Sequence, residues 1–278
     1  MKILVTGAAG LLGEALVAEA RARGHEVVGL SRAELDVTDA ALVRSVVSRH
    51  RPDAVVHSAA YTAVDRAESE PELARAVNRD GARNVAMAGA EHGAKLLYVS
   101  TDYVFDGRKR SPYLPSDETG PLSVYGRTKL EGEQAVTEAL PGSLVVRTSW
   151  LYGGQSGFVP AIFRRAAKGE GLRVVDDQRG RPTWAPDGAA AMLDLLDRGA
   201  HGVWHVAGGG ECTWLELARE AVRLRGLDVE IEAISSHDFA SPARRPAYSV
   251  LDVAATEDLL GRRMSDWKDA LARYLRGD

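Results

Sequence analysis

One stretch near the start of the chain does most to restrict its fold. Residues 2–6, KILVT, form a short aliphatic, β-branched run. They lead into GAAGLLG, and a helical stretch, ALVAEARARG, follows directly. Gly7, Gly10 and Gly13 therefore sit where a strand becomes a helix. Gly7 suits a tight turn, Gly10 a close backbone approach to a pyrophosphate, and Gly13 a helix lying close on its sheet. The free N–H groups and positive dipole end of the helix complete an anion site. The spacing is G-x-x-G-x-x-G rather than G-x-G-x-x-G. A plain packing turn would use the same glycines, but the strand–turn–helix setting favours a dinucleotide.

The pattern then repeats. Strands are expected at 26–30 (EVVGL), 53–60 (DAVVHSAA), 95–100 (KLLYVS) and 143–150 (SLVVRTSW). Helical stretches lie between them, including a long one over 71–92, and Thr38 or Asp39 is the expected N-cap of the helix after the second strand. This alternation implies an α/β chain of Rossmann type, a doubly wound parallel sheet binding ligands at the carboxyl ends of its strands. Beyond residue 150 the pattern loosens. A helix-like AIFRRAAKG is followed by a short LRVV strand and the loop DDQRGRPTWAPD. A helix at 188–197, strands at 203–207 and 229–234, and amphipathic helices at 214–226 and 267–275 complete the chain. The expected division is a dinucleotide-binding domain of 1–150 plus about 183–207 and 244–255. A smaller C-terminal substrate lobe takes 151–182, 208–243 and 256–278.

Composition narrows the function classes. With 45% hydrophobic and 27% charged residues the balance is that of an ordinary globular protein. The net charge of −4 supplies no basic field for nucleic acid or a membrane surface, so neither is an expected partner. No run approaches ~18 apolar residues, so no membrane span is expected, and no leader is expected before the first strand. The 1 cysteine, Cys212, allows no intrachain disulfide and reads as a packed or half-exposed thiol. A cytoplasmic protein is expected. The 7 histidines are scattered without metal-ligand spacing, so no metal site is expected.

Tyr125 and Lys129, four positions apart in SVYGRTK, share one helical face. A phenol near pKa ~10 transfers protons poorly at neutral pH, and an ammonium beside it is expected to lower that value. Thr101, just past the fourth strand, is the natural third member, a hydroxyl aimed at a carbonyl oxygen. Apart from its two companions it would read as a strand-end cap. After the second strand, Ser31 and Arg32 stand where an acid often binds the ribose of NAD; a hydroxyl and a guanidinium suit a 2′-phosphate better, although a solvated arginine fits the pattern too. NADPH is the expected cofactor, with NADH the alternative. His57 reads as an internal histidine held by a hydrogen bond. Among many basic residues after 160, the loop arginines Arg179 and Arg181 and the pair Arg244 and Arg245 are candidates for an anionic substrate.

With these residues in place, the chain resembles the extended short-chain dehydrogenase/reductases, and more closely the dTDP-4-dehydrorhamnose reductase family. The resemblance rests on TGAAGLLG, AAYTAVDRAE, VSTDYVFDG, YGRTKLEGE, VVRTSWLYG, DQRGRPT and RRPAYSVLD, seven motifs in order along nearly the whole chain. It implies an NAD(P)H-dependent reduction of the C4 keto group of a dTDP-4-keto-6-deoxy sugar, dTDP-4-dehydrorhamnose to dTDP-L-rhamnose. Thr101, Tyr125 and Lys129 look like its catalytic group, and Lys129 also like a holder of the nicotinamide ribose. Gly7, Gly10, Leu11, Leu12, Asp36, Val37, Ala59, Ala60 and Tyr61 look like cofactor contacts. Trp150 looks like part of the sugar pocket, and Asp102, with Tyr103 beside it, like a substrate neighbour. One departure stands out. His57-Ser58 replaces a common asparagine before the alanines. Tyr103 stands where dehydratase relatives carry an acid, which argues against dehydration. Two other readings share these residues: a 4-ketoreductase for another nucleotide deoxysugar, and a non-catalytic NADP-binding regulatory subunit like the methionine adenosyltransferase β subunit. Monomer and homodimer both remain open.

Overall fold

The computed structural model describes residues 1–277. In chain order the first elements are β1 Lys2–Thr6, α1 Leu11–Ala22, β2 Glu26–Leu30, α2 Ala40–His50, β3 Ala54–His57, α3 Val64–Ala67, α4 Pro71–Arg75 and α5 Ala82–Glu91. Then come β4 Lys95–Thr101, α6 Val124–Ala139, β5 Leu144–Thr148, β6 Leu151–Tyr152, α7 Phe158–Ala167, β7 Leu172–Val175, β8 Arg179–Gly180 and β9 Thr183–Trp184. The last are α8 Ala185–Asp197, β10 Gly202–His205, β11 Cys212–Thr213, α9 Trp214–Leu224, β12 Ile231–Ile234, α10 Ala254–Leu260 and α11 Trp267–Arg276.

Six strands form one parallel sheet in the order β10-β5-β4-β3-β1-β2. Its strands are buried on both faces, as a parallel sheet requires, and the alternation is visible in the residues. Ile3, Val5, Val56, Leu97 and Val146 pack towards α1 and α8, whereas Leu4, Val55, Leu96, Tyr98 and Val145 pack towards α2 and α5. The chain direction across the sheet reverses between β1 and β3, where a doubly wound sheet opens a crevice. Asp39 caps α2, accepting from the N–H groups of Ala41 and Leu42.

Three small two-stranded sheets lie outside the large one: β11 with β8, β12 with β7, and β6 with β9. Two-residue strands carry too little periodicity to read from sequence, which is why 176–187 looked like plain loop. α7, α9 and β7 share their own apolar core around Ile162, Leu172, Leu215 and Ala218, and Cys212 is buried beside Leu217 and Trp267. The long helical stretch expected over 71–92 is interrupted by a π-helical turn, Ala76–Gly81. Among the described residues no helix is long and apolar enough to cross a membrane.

Candidate active site

A cleft of about 790 Å³ runs along the carboxyl ends of β1, β3, β4 and β5, within the usual size of small-molecule sites. At one end lies the glycine turn. Gly7 has φ +68°, and a side chain there would meet the Ala59 nitrogen at 2.7 Å, so the turn after β1 touches the loop after β3. A Cβ on Gly13 would lie 2.1 Å from the Gly7 carbonyl oxygen. No side chain caps α1 at Gly10, so the first N–H groups of the helix remain open on the cleft that Leu11, Leu12 and Gly13 line. A cradle of this kind fits a dinucleotide pyrophosphate.

Arg32, Asp36 and Val37 also line the cleft. Arg32 is exposed, while the Asp36 carboxylate accepts from the Thr38 hydroxyl at 2.7 Å and is held below its ordinary range by it. Ser31 lies outside the lining; its hydroxyl donates to Glu34 at 2.7 Å. After β3, Ala59, Ala60 and Tyr61 form the cleft floor. That floor is pinned by a residue the sequence did not single out. Asn78, buried in the π turn, accepts from the Tyr61 N–H at 2.8 Å and donates to Thr128 on α6 at 3.0 Å. π turns often mark such functional positions, but nothing in the apolar spacing announces this one. His57 is buried beneath, its Nδ1 2.7 Å from the Thr6 hydroxyl and its Nε2 without a partner. Burial and then the charge of Lys129 push its pKa down to about 3, so it stays neutral.

At the other end Thr101, Tyr125 and Lys129 line the cleft together. Ser123 caps α6, accepting from the Gly126 N–H at 3.1 Å. A Cβ on Gly126 would fall 2.2 Å from the Tyr103 carbonyl oxygen, so this glycine brings the helix against the turn that follows β4. Tyr125 then lies within hydrogen-bonding reach of the Thr101 hydroxyl, and its ring meets Tyr103 edge-on at 5.8 Å between centroids. The Asp102 Oδ1 accepts from Thr101 at 3.1 Å, and Oδ2 is buried with no well-aligned partner. Burial pushes this carboxyl up to about 7, outweighing the nearby Ser249 and Thr101 hydroxyls that pull it down.

The electrostatics of the pair differ from the sequence expectation. Burial pushes the Tyr125 phenol up to about 12, with Thr101 pulling it back only partly. The ammonium does not lower it. Lys129 is buried, donates to the Val99 carbonyl at 2.6 Å, and sits 4.1 Å over the Tyr98 ring. Burial lowers its own pKa to about 7, with Glu133, one turn further along α6, raising it. Glu133 makes a bidentate ion pair with Arg147 at 2.8 and 2.9 Å and accepts from Ser100 at 2.5 Å. This buried clamp ties the helix carrying Tyr125 and Lys129 to β4 and β5. The i, i+4 spacing from Lys129 to Glu133 was available in the sequence, but its partner Arg147 was not.

The wall beside this end is aromatic. Trp150, in the left-handed region at φ +44°, stacks on Trp214 with centroids 3.7 Å apart, and both line the cleft. Trp214, at the start of α9, was not anticipated. Arg181 lies outside the cleft lining; its Nη1 donates to the Gly208 carbonyl at 3.4 Å and its Nε has no partner. Arg179 faces Glu211 and Glu216, Arg244 is exposed, and Arg245 is engaged with Asp65.

Against known proteins, the family model described as the RmlD substrate binding domain matches residues 1–277. A curated dTDP-4-dehydrorhamnose reductase from Streptomyces griseus is 46% identical, over 96% of this chain and 91% of that protein. A dTDP-4-keto-6-deoxy-D-glucose reductase from Streptomyces niveus is 43% identical, over 97% of this chain and 95% of that one. Among solved structures, the Bacillus anthracis dTDP-4-dehydrorhamnose reductase in complex with NADP superposes with a TM-score of 0.96 at 36% identity, covering 100% of this chain and 99% of the other.

Proposed function

From a chain that belongs to the RmlD family of dTDP-4-dehydrorhamnose reductases, we propose the following working enzyme. The protein is an NAD(P)H-dependent oxidoreductase that reduces the C4 keto group of a dTDP-4-keto-6-deoxy sugar, with dTDP-4-dehydrorhamnose as its substrate and dTDP-L-rhamnose as its product. The observation that carries the reading is one cleft with a glycine cradle at one end and Thr101, Tyr125 and Lys129 at the other.

A bound nicotinamide supplies the hydride. This chain's residues do the rest. A phenol pushed up to about 12 stays protonated at neutral pH, the form required of a proton donor to the carbonyl oxygen. Thr101 donates a hydrogen bond to the same oxygen as negative charge grows on it. Lys129, one helix turn from Tyr125 and lining the same cleft, would hold the cofactor ribose. Gly7, Gly10, Leu11, Leu12 and Gly13 would hold the pyrophosphate, and Arg32 the 2′-phosphate. Ala59, Ala60, Tyr61, Asp36 and Val37 would line the rest of the cofactor site. Asp102 and Trp150 would bound the sugar, with the Tyr103 ring packed beside Tyr125, and the Arg181 carbonyl accepts from Ser149 next to Trp150. The large sheet with α8 and β10 forms the cofactor half, and the elements around α7, α9 and α11 the substrate lobe. A reducing cytoplasm is the setting we infer from the nucleotide-sugar chemistry.

The Streptomyces niveus relative favours a second reading, in which the same group reduces a different 4-keto-6-deoxy sugar. A panel of dTDP-4-keto-6-deoxy sugars, followed by loss of NADPH absorbance, separates the two. Tyr125→Phe should lose turnover by about 10²–10⁴-fold while still binding NADPH. Turnover within about twofold of native in that variant would remove Tyr125 from the donor role.

A further inference from the structure

The segment 241–249 forms a strap between α3 and the turn after β4, and its contacts converge on the residues that follow Thr101. Arg245 is its anchor. The guanidinium makes a two-pronged pair with Asp65, Nη1 to Oδ1 at 3.0 Å and Nη2 to Oδ2 at 2.9 Å. Asp65 also accepts from the Ser241 hydroxyl at 2.5 Å and the Ala243 N–H at 3.3 Å. So many donors hold its carboxyl down to about 2, Arg245 contributing most. Asp65 belongs to α3, just beyond the cofactor floor at 59–61. The strap is seated on Gly107, where a side chain would meet the Pro246 Cβ at 2.6 Å.

From this fixed position Arg245 reaches the Tyr103 hydroxyl, and Ser249, further along the strap, reaches Asp102. Tyr103 in turn packs edge-to-face with Tyr125, ring centroids 5.8 Å apart. A bidentate guanidinium–carboxylate pair fixes orientation as well as distance, so the direction of the Tyr103 ring, and of the phenol packed against it, is set from outside the reacting group.

We propose that Arg245 is a positioning residue for the reduction. Held by Asp65, it locks Tyr103, and through Tyr103 it locks the proton donor Tyr125. This rests on the reductase reading above, and it assigns Arg245 a role other than anion binding. The cofactor floor and the proton donor are thereby joined by one chain of contacts, Asp65, Arg245, Tyr103 and Tyr125.

The test is a double-mutant cycle on the full-length protein with dTDP-4-dehydrorhamnose and NADPH. Native turnover itself tests the reductase reading; every variant is then scored relative to native. Arg245→Met is expected to lower kcat by about 10–100-fold, since small misplacements of a reacting group have effects of that size, with KM and NADPH affinity within about threefold. Arg245→Lys keeps the charge but not the planar fork and should fall between. Tyr103→Phe, which removes one oxygen, serves if Arg245→Met fails to fold, and it too should lower kcat rather than raise KM. Combined with Arg245→Met, it should be no worse than the worse single change, because the two act in series. Losses that multiply, or a rise in KM with kcat unchanged in either single variant, would overturn the proposal; the latter would make the guanidinium or the phenol a substrate ligand instead.

Discussion

Gly13→Ala is the sharpest test of how this chain builds its cofactor site. The added Cβ would lie 2.1 Å from the Gly7 carbonyl oxygen and 2.8 Å from the Ala8 Cα. Carbon and oxygen normally approach no closer than about 3.3 Å, so α1 must withdraw from the turn by about 1 Å. Neither neighbour is a flexible side chain that can swing aside; both are backbone. Overpacking of this kind costs about 1–3 kcal/mol. For a chain of this size that corresponds to a fall in melting temperature of about 2–10 °C. The same movement carries the helix N-terminus away from the pyrophosphate. Loss of about 1.4 kcal/mol there weakens binding tenfold, so the NADPH dissociation constant should rise by about that factor or more. Thermal melts with and without NADPH, together with a fluorescence titration, measure both quantities. Gly171→Ala is the control: a Cβ there meets nothing within 4 Å, and the change should be neutral or stabilising by up to about 1 kcal/mol. A Gly13→Ala protein that melts and binds NADPH like the native one would refute the reasoning, because the close approach would then not be what holds the cradle in shape.

Two further outcomes are expected. Arg32→Ala should reduce the ratio of NADPH to NADH affinity, since Arg32 is the exposed cation at the β2 end of the cleft; an unchanged ratio in paired titrations removes it from the 2′-phosphate. Asp102 has a folded pKa of about 7 against an ordinary 3.8. The folded state therefore holds this proton more tightly, and the stability linked to it is full below about pH 4 and lost as pH rises through about 7. Asp102→Asn is neutral throughout. It should match native stability near pH 4 and exceed it near pH 8 by up to a few kcal/mol. Urea melts at both values check this, and an equal difference at the two would show that the carboxyl is not desolvated as described.

The legible parts of the site are those that two neighbours in sequence can specify. Tyr125 and Lys129 share a helix turn, and the three glycines share one strand-to-helix junction, so both groups could be seen before any folding. Asn78, Glu133 with Arg147, and Asp65 as the partner of Arg245 escaped notice, because each is defined by a partner far along the chain. Arg245 was grouped with Arg179 and Arg181 as a possible anion holder on charge alone; only its contact with Asp65 separates it from them. The Tyr125 expectation failed for a related reason. Spacing alone places an amine near a phenol. It does not tell that both are buried, nor that the amine donates to the Val99 carbonyl.

Periodicity and turn chemistry act through residues adjacent in the chain, and at that range they settled an α/β fold with a parallel sheet, a glycine turn after β1, and the pairing of Tyr125 with Lys129 on one helix. Depth below the surface and the choice of distant partner are properties of the packed molecule. They decided which ionisable groups stay charged, that Trp214 joins Trp150 at the cleft wall, and that the strap at 241–249 reaches the turn after β4. Dielectric environment and long-range contact come into existence only when the strands are already side by side.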